Sequence, residues 1–318
     1  MNAAGRLVAY AAGLAVAFTG AFLTARAVIP SAWVQSWTQS AQGHGSDTEQ
    51  SKSAAAELAR GLATSQDGFL LSAVEAPAAA GQAGALMFTI QDAAGGPVVD
   101  FETAHEKQLH LIVVRSDGSE FRHAHPSLDI ATGTWQLPWQ WDAAGTYRVY
   151  ADFVPRGTSD PITLSRTVEV AGEFTPAPHE GEKLTDSVDG FDLTLSGGMV
   201  AGTTSELAVT VSREGQPVTT LQPYLGAFGH LVALREGDLA YLHIHAGDGP
   251  AADATAGPSI TFGAEVPTAG RYLLYLDFQV GGTVHTARFV VDASRGGGEP
   301  TATIHTSEPT ASGHDSER

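Results

Sequence analysis

The feature that most constrains the fold is a histidine-containing stretch that occurs twice. In each copy one histidine is followed 13 and 15 residues later by a His-x-His pair; the copies are 109–126, with His110, His123 and His125, and 229–246, with His230, His243 and His245. Two apolar runs flank a polar turn in both copies, which predicts a β-hairpin. Because the copies are 120 residues apart (230 − 110), the chain is expected to fold as two similar modules.

The position of each turn predicts which histidines lie opposite each other. With the turns centred near 117–118 and 237–238, His110 faces His125 and His230 faces His245. Opposed Cβ atoms of an antiparallel pair are about 4.5 to 5.5 Å apart, and side chains two residues apart share a face. Three imidazoles are therefore expected to cluster in each module. The same faces carry apolar side chains, namely Ile112, Val114 and Phe121 in one copy and Val232, Leu234 and Tyr241 in the other.

Length and composition agree with two β-rich modules. The 318 residues leave room for two domains, and 36 glycines with 16 prolines suit a chain with many turns. Several short strands in each half favour an immunoglobulin-like β-sandwich. The predicted fold class is therefore all-β, with tandem immunoglobulin-like modules at 67–173 and 189–293 and a linker at 174–188.

The amino-terminal segment predicts a membrane anchor. Leu7 to Leu23 contains no charged residue, and Trp33 and Trp37 follow it. A transmembrane helix within 1–38 explains this pattern, and a signal peptide cleaved after Ala25-Arg26-Ala27 is the alternative. With the amino terminus inside, the rest of the chain is extracytoplasmic, on a single-pass cell-membrane protein. Residues 39–66 are expected to form a flexible stalk and 294–318 a disordered tail.

Charge and sulfur content exclude several classes of partner. The formal net charge of −18 repels phosphate backbones, so nucleic-acid binding is not expected. There is no cysteine, and only Met87 and Met199 remain beyond the initiator, so thiolate sites and methionine-rich Cu(I) sites are excluded.

A second repeated pattern places an aspartate inside a strand of each module. Asp152 and Asp277 are each the last residue but one of a Gly-x-Tyr-x-x-Tyr-x-Asp-Phe run. A buried carboxylate is costly unless it has a partner. Two interpretations stay open: each aspartate belongs to a metal site, as a ligand or by orienting an imidazole, or each makes a structural hydrogen bond.

The clustered histidines predict metal binding. Imidazole without thiolate suits Cu(II) or Zn(II). The candidate metal residues are His110, His123, His125 and Asp152 in module 1 and His230, His243, His245 and Asp277 in module 2. Two separate sites are expected, and one site shared between the modules is the alternative. No nucleophile elbow, phosphate loop or H-E-x-x-H motif is present, so we expect a binding protein rather than an enzyme.

The two hairpins and the Tyr-x-Asp-Phe strands resemble membrane-anchored bacterial proteins described as heavy-metal-binding or YtkA-like, over about 67–292. That resemblance implies immunoglobulin-like extracytoplasmic modules allied to CopC-type copper carriers, and a role in copper storage, delivery or resistance with a membrane or periplasmic protein partner. The chain departs from the CopC-type pattern, which uses a histidine at the mature amino terminus.

The competing function is a non-metal adhesion or scaffold module that binds a wall polymer or a membrane protein. Three tryptophans lie close together, Trp135, Trp139 and Trp141, and are a candidate sugar-stacking surface, although core packing is favoured. The histidines without a counterpart in the other module, His105, His179 and His285, are expected at the surface. His105 lies five residues before His110, so a role as an additional ligand is the alternative for it. His305 and His314 are expected to be solvated.

Overall fold

The structure, a computed structural model, describes residues 59–158, 160–177, 179–242, 244–246 and 255–296. Every regular element in these ranges is a β-strand, so the predicted all-β class is confirmed. No helix of the described ranges is long and apolar enough to span a membrane. The predicted anchor at 1–38, most of the predicted stalk and nearly all of the predicted tail lie outside these ranges.

Module 1 consists of ten strands in two antiparallel sheets. One sheet has the order β1-β2-β3-β8-β7, and the other has the order β10-β9-β5-β6, with β4 also paired to β9. The strands are β1 (Ser65–Gln66), β2 (Phe69–Leu71), β3 (Ala83–Gln91), β4 (Phe101–Glu102), β5 (Leu109–Arg115), β6 (Arg122–Ala124), β7 (Ser127–Asp129), β8 (Thr134–Gln140), β9 (Gly145–Pro155) and β10 (Ile162–Val170).

Module 2 repeats this arrangement. Its sheets have the orders β11-β12-β13-β18-β17, with β14 also paired to β13, and β16-β15-β19-β20. The strands are β11 (Thr185–Val188), β12 (Phe191–Ser196), β13 (Thr203–Arg213), β14 (Gln216–Pro217), β15 (Gly229–Arg235), β16 (Tyr241–Leu242), β17 (Ile244–Ala246), β18 (Ser259–Val266), β19 (Gly270–Val280) and β20 (Thr283–Ala293).

This strand order is that of the immunoglobulin-like sandwich. In module 1, β2, β3, β8 and β7 form one sheet and correspond to strands A, B, E and D of an immunoglobulin domain. The other sheet contains β5, β9 and β10, which correspond to strands C, F and G. Each module also has a tyrosine corner: Tyr147 donates to the carbonyl of Ala143 at 2.8 Å, and Tyr272 donates to that of Thr268 at 3.0 Å. The predicted tandem immunoglobulin-like architecture is confirmed.

Alternation along the strands places a separate apolar core inside each sandwich. In β5 the odd-numbered residues Leu109, Leu111 and Val113 point into the core of module 1. In β15, Leu231 and Ala233 point into the core of module 2. Both hairpin strands nevertheless carry apolar residues at even-numbered positions as well, Ile112 and Val114 in β5 and Val232 and Leu234 in β15, so their outer faces also need a cover.

The outer faces of the two hairpins cover each other. A third apolar cluster contains residues of both modules and forms the module interface; its buried members are Ile112, Val114, Phe121, Tyr150, Val232, Leu234, Leu239, Leu273, Tyr275 and Val290. The rings of Phe121 and Tyr275 stack across it with centroids 4.0 Å apart and planes at 4°. The apolar hairpin faces noted in the sequence are therefore the surfaces by which the modules pack.

Strand pairing confirms the predicted hairpin registers. Ile112 pairs with His123 and Leu111 with Ala124 in module 1, and Ala233 pairs with Leu242 in module 2. The two residue numbers of a pair add up to 235 in module 1 and to 475 in module 2. The predicted pairs His110–His125 and His230–His245 have the same sums, so the register is the predicted one.

Part of the predicted stalk and linker belongs to the fold. Ser65–Gln66 pairs with β2, and the amide of Tyr241 donates to the carbonyl of Arg60 at 2.9 Å. In the predicted linker, Thr185–Val188 pairs with β12, and His179 Nε2 lies 3.1 Å from the carbonyl of Asp117. Polar composition suggested exposed connectors, but edge-strand pairing fixes these residues at the sandwich edges.

Candidate metal centre

The hairpin of module 1 brings three histidines together. His110 lies on β5, His123 lies on β6 and His125 follows β6 directly, and one nitrogen from each falls in a group whose members are all within 4.8 Å of one another. We call His110, His123 and His125 the histidine triad. The sequence predicted this clustering from the turn position and the two-residue period of a strand.

Two contacts fix the distances inside the triad. His110 Nδ1 lies 3.0 Å from His123 Nε2 and 3.2 Å from His125 Nε2. The ring centroids of the three residues are 4.8 to 5.3 Å apart. One nitrogen of each imidazole therefore faces the same small volume.

The tautomers of two triad members follow from their outer partners. His110 Nε2 lies 3.1 Å from the carbonyl of Ala104, which only accepts, so this nitrogen carries the hydrogen. His123 Nδ1 lies 2.8 Å from Asp277 Oδ2 and donates to that carboxylate. In the neutral rings, His110 Nδ1 and His123 Nε2 are therefore bare lone pairs that face each other.

Burial favours the neutral form of His110 and His125. Desolvation, with the nearby His123, lowers the pKa of His110 to about 3 even though the Ala104 carbonyl favours protonation. Desolvation and His123 also lower the pKa of His125 to about 4. Neutral imidazole is the form that binds metal ions, so His110 and His125 are in the ligand form at neutral pH.

Two of the three nitrogen separations in the triad match those of a tetrahedral metal site. Zinc–nitrogen bonds are about 2.0 to 2.1 Å long, so two nitrogens on one tetrahedral ion are roughly 3.3 Å apart. The two measured separations, 3.0 and 3.2 Å, are close to this value. Facing lone pairs at such distances repel each other unless a cation lies between them. A single proton can link only two of the three nitrogens in a hydrogen bond, whereas one metal ion can accept a lone pair from each of them.

The outer partners of His110 and His123 also match a metal site. A metal-binding histidine usually donates its other N–H to a backbone carbonyl or a carboxylate, which fixes the ring and raises its basicity. Ala104 and Asp277 supply these two acceptors. Asp277 is thus placed behind a histidine, where it orients the imidazole.

Both predicted aspartates lie next to the first histidine of their own module. Asp152 pairs with His110 across β5 and β9, and Asp277 pairs with His230 across β15 and β19. Thr163 donates to Asp152 Oδ1 at 2.7 Å, and Thr286 donates to Asp277 Oδ1 at 2.6 Å. The structural hydrogen bond and the orienting role, both left open by the sequence, thus coexist at Asp277. Burial raises the pKa of Asp152, with the Thr163 hydrogen bond opposing it.

The first histidine of module 2 repeats the environment of His110. His230 Nε2 lies 2.7 Å from the carbonyl of Tyr224, at the position equivalent to Ala104. Desolvation lowers its pKa to about 4. Its ring centroid is 6.3 Å from that of His123 and 5.3 Å from that of His105. The modules therefore turn their histidines toward each other, as in the shared arrangement considered from the sequence.

The second His-x-His pair is only partly described. His243 and the side chain of His245 lie outside the described residues, and the backbone of His245 pairs with Gly263 in the opposite sheet. A second triad of His230, His243 and His245 stays a prediction.

A cavity of about 270 Å³ opens beside the triad, between the modules. Its polar lining consists in part of the carboxylate of Asp152 and the imidazoles of four histidines, His105, His110, His123 and His230. His105 has a left-handed backbone, with φ of 47°, and is exposed. Neither the repeat nor the hairpin pattern predicts that His105 lies beside the triad, because module 2 has Leu225 at the equivalent position.

His285 and the three tryptophans are not among the residues that line the cavity. His285 was expected at the surface but is buried, and its Nδ1 lies 2.7 Å from Asp189 Oδ2. Trp135, Trp139 and Trp141 are all buried in module 1, so they do not present a sugar-stacking surface. Arg122 covers the ring of Trp139 at 4.8 Å.

Comparisons with known proteins give distant structural matches and one family. No curated protein matches the chain. Invasin, a bacterial integrin-binding protein, aligns at 13% identity over 72% of this chain and 39% of its own, with a TM-score of 0.22. The D0-D1 domain of intimin aligns at 11% identity over 71% and 97%, with a TM-score of 0.20. Salmonella alpha-2-macroglobulin reacted with methylamine aligns at 16% identity over 71% and 14%, with a TM-score of 0.23.

One family model matches the chain twice. The matched residues are 64–172 and 186–295, which correspond to the two modules and cover more than half of the 318 residues. The resemblance to YtkA-like and CopC-type proteins is not tested by this match. The chain belongs to the family described as Domain of unknown function (DUF8832), of which it carries two copies in tandem.

Proposed function

We propose that this protein binds a divalent copper or zinc ion through the histidine triad, for metal storage, delivery or resistance. One observation carries the proposal: His110 Nδ1 and His123 Nε2, each left bare by a partner on the opposite side of its ring, face each other at 3.0 Å with His125 Nε2 beside them. Three imidazoles without thiolate suit Zn(II) and Cu(II), and the general affinity order favours Cu(II).

The proposed location is outside the cytoplasm, on a chain held at the membrane by the apolar segment Leu7 to Leu23. A retained anchor would keep the metal site close to membrane proteins that donate or accept the ion. The repeat also supports a second site at His230, His243 and His245.

Calorimetric titration of the full chain with Zn(II) and Cu(II), separately and in competition, tests the proposal. We expect saturable binding that is lost at the triad when His123 and His125 are both changed to Ala. Changing His243 and His245 to Ala should lower the number of bound ions per chain by one more if the second site exists. His305→Ala with His314→Ala is the matched control, because it removes two imidazoles from the carboxy-terminal segment.

The alternative function has a distinct outcome. If the triad variant binds each ion as the unchanged protein does, the ions are held elsewhere by the acidic surface, and the metal proposal is wrong. An adhesion or scaffold role for the paired sandwiches would then be the function to examine.

A further inference from the structure

We propose that the bound cation fastens the two modules together, because module 2 supplies the carboxylate that completes the site of module 1. This inference rests on the proposed metal binding and assigns a positioning role to Asp277. The ion would contact only the triad, but its affinity would depend on the packed pair of modules.

The contact between His123 and Asp277 joins the modules at the site itself. The two residues are 154 positions apart in sequence, and their side chains are 4% and 6% exposed. Asp277 Oδ2 accepts from His123, while Oδ1 accepts from Thr286 on the neighbouring strand of module 2. Asp277 is therefore held by its own module and reaches across the interface to one triad ring.

Electrostatics couples this contact to ion binding. A carboxylate that is withdrawn from water is costly unless positive charge or strong donors compensate for it. A dication on His123 Nε2 polarises the ring and makes its Nδ1–H a stronger donor, which strengthens the hydrogen bond to Asp277. In return, the carboxylate raises the basicity of the imidazole and so the affinity for the ion.

Thermodynamic linkage makes the two effects equal. If docking of module 2 raises the affinity of the triad for the ion by a given factor, the ion favours docking by the same factor. Loss of such an outer partner typically lowers metal affinity about 10- to 100-fold. The apolar interface and the hydrogen bonds that the hydroxyls of Tyr150 and Tyr275 donate across it hold the modules without the ion, and the ion adds to them.

Asp277→Asn in the full chain tests the affinity half of the inference. The amide keeps the shape of the carboxylate but removes its charge. We expect Zn(II) affinity to fall about 10- to 100-fold with the triad intact, and the visible spectrum of bound Co(II) to change because one ligand ring is released. Asp189→Asn is the matched control, since it removes another carboxylate that contacts an imidazole, that of His285, instead of a triad ring.

Amide hydrogen exchange tests whether the ion favours docking of module 2 onto module 1. The turn at residues 116–119 contacts module 2 at the end of the hairpin opposite to the metal ligands. Zn(II) should slow exchange in this turn in the unchanged protein and in Asp189→Asn, and should leave it unchanged in Asp277→Asn. If Asp277→Asn does not fold, Thr286→Val replaces it, because that change keeps the carboxylate and removes the hydroxyl that positions it.

The outcomes separate this inference from the proposed function. If the unchanged protein binds Zn(II) and Asp277→Asn binds it equally well with the same Co(II) spectrum and the same exchange, the coupling is refuted and the triad stands. If the unchanged protein binds no ion at the triad, the metal proposal itself fails.

Discussion

Tyr150 and Tyr275 occupy equivalent positions in the two modules, and each donates its hydroxyl to the hairpin turn of the other module. Tyr150 reaches the carbonyl of Leu239 at 2.5 Å, and Tyr275 reaches the carbonyl of Gly118 at 2.6 Å. Both hydroxyls are buried. The exchange is reciprocal, so the modules pack with approximate two-fold symmetry about the interface.

Removing either hydroxyl should weaken the interface. Tyr150→Phe and Tyr275→Phe each leave a buried carbonyl without its donor, and we expect each change to lower the free energy of unfolding by about 1 to 2 kcal/mol. Urea unfolding followed by circular dichroism measures this. Equal stability of either variant and the unchanged protein would show that the corresponding hydrogen bond contributes nothing.

The two hairpin turns allow a matched glycine comparison. Gly118 and Gly237 both have positive φ, 76° and 100°, but only Gly118 lies against residues outside its own turn, including Leu273 of module 2. Alanine at either position pays a backbone cost of about 1 to 2 kcal/mol. Gly118→Ala should cost more than Gly237→Ala, because its Cβ must also displace Leu273. Thermal unfolding of both variants checks the difference, and equal losses would contradict a tight interface at this turn.

The carboxylate of Asp117 predicts a loss of stability in acid. Burial alone would raise its pKa, but hydrogen bonds from Arg115 and Ser119 outweigh this effect and lower the pKa to about 2. A depressed folded-state pKa gives stability that is present above about pH 4 and is lost as the pH falls toward 2. Asp117→Asn should therefore cost about 2 kcal/mol at pH 7 and almost nothing near pH 2. Urea unfolding at both pH values checks the convergence.

Removal of the proposed ion should lower the thermal stability of the protein. A ligand that binds only the folded state stabilises it by about 2.7 kcal/mol at 100 times its dissociation constant. We expect a chelator to lower the unfolding temperature of the unchanged protein, and to have a smaller effect on the variant in which His123 and His125 are Ala. A chelator effect of the same size on both proteins would place the ion elsewhere.

The sequence predicted most of the fold and the local part of the site. Alternation and turn positions are local properties, and they correctly predicted the hairpin registers and the proximity of His110, His123 and His125. The partnership between His123 and Asp277 joins residues of different modules. No periodicity within either module specifies which partner its outer face will meet, so this contact required the structure.

The apolar outer face of the hairpin was visible in the sequence, but its role was not. Ile112 and Val232 share their strand faces with the histidines, and in a single sandwich such positions would border solvent. A run that is apolar at consecutive positions indicates burial on both sides. That signal at residues 109–114 could have predicted the interface.

The reciprocal packing makes this chain equivalent to a homodimer whose two subunits have been joined end to end. In a true homodimer every substitution appears on both sides of the axis, so the two sides must remain chemically identical. Covalent fusion removes that restriction. His105 is equivalent to Leu225 in the repeat, so the imidazole that module 1 contributes to the cavity lining has an aliphatic counterpart in module 2. The parts of the cavity lining that come from the two modules therefore differ chemically. A small molecule or ion that enters the cavity can bind in one preferred orientation, which a symmetric pair of identical sandwiches would not impose.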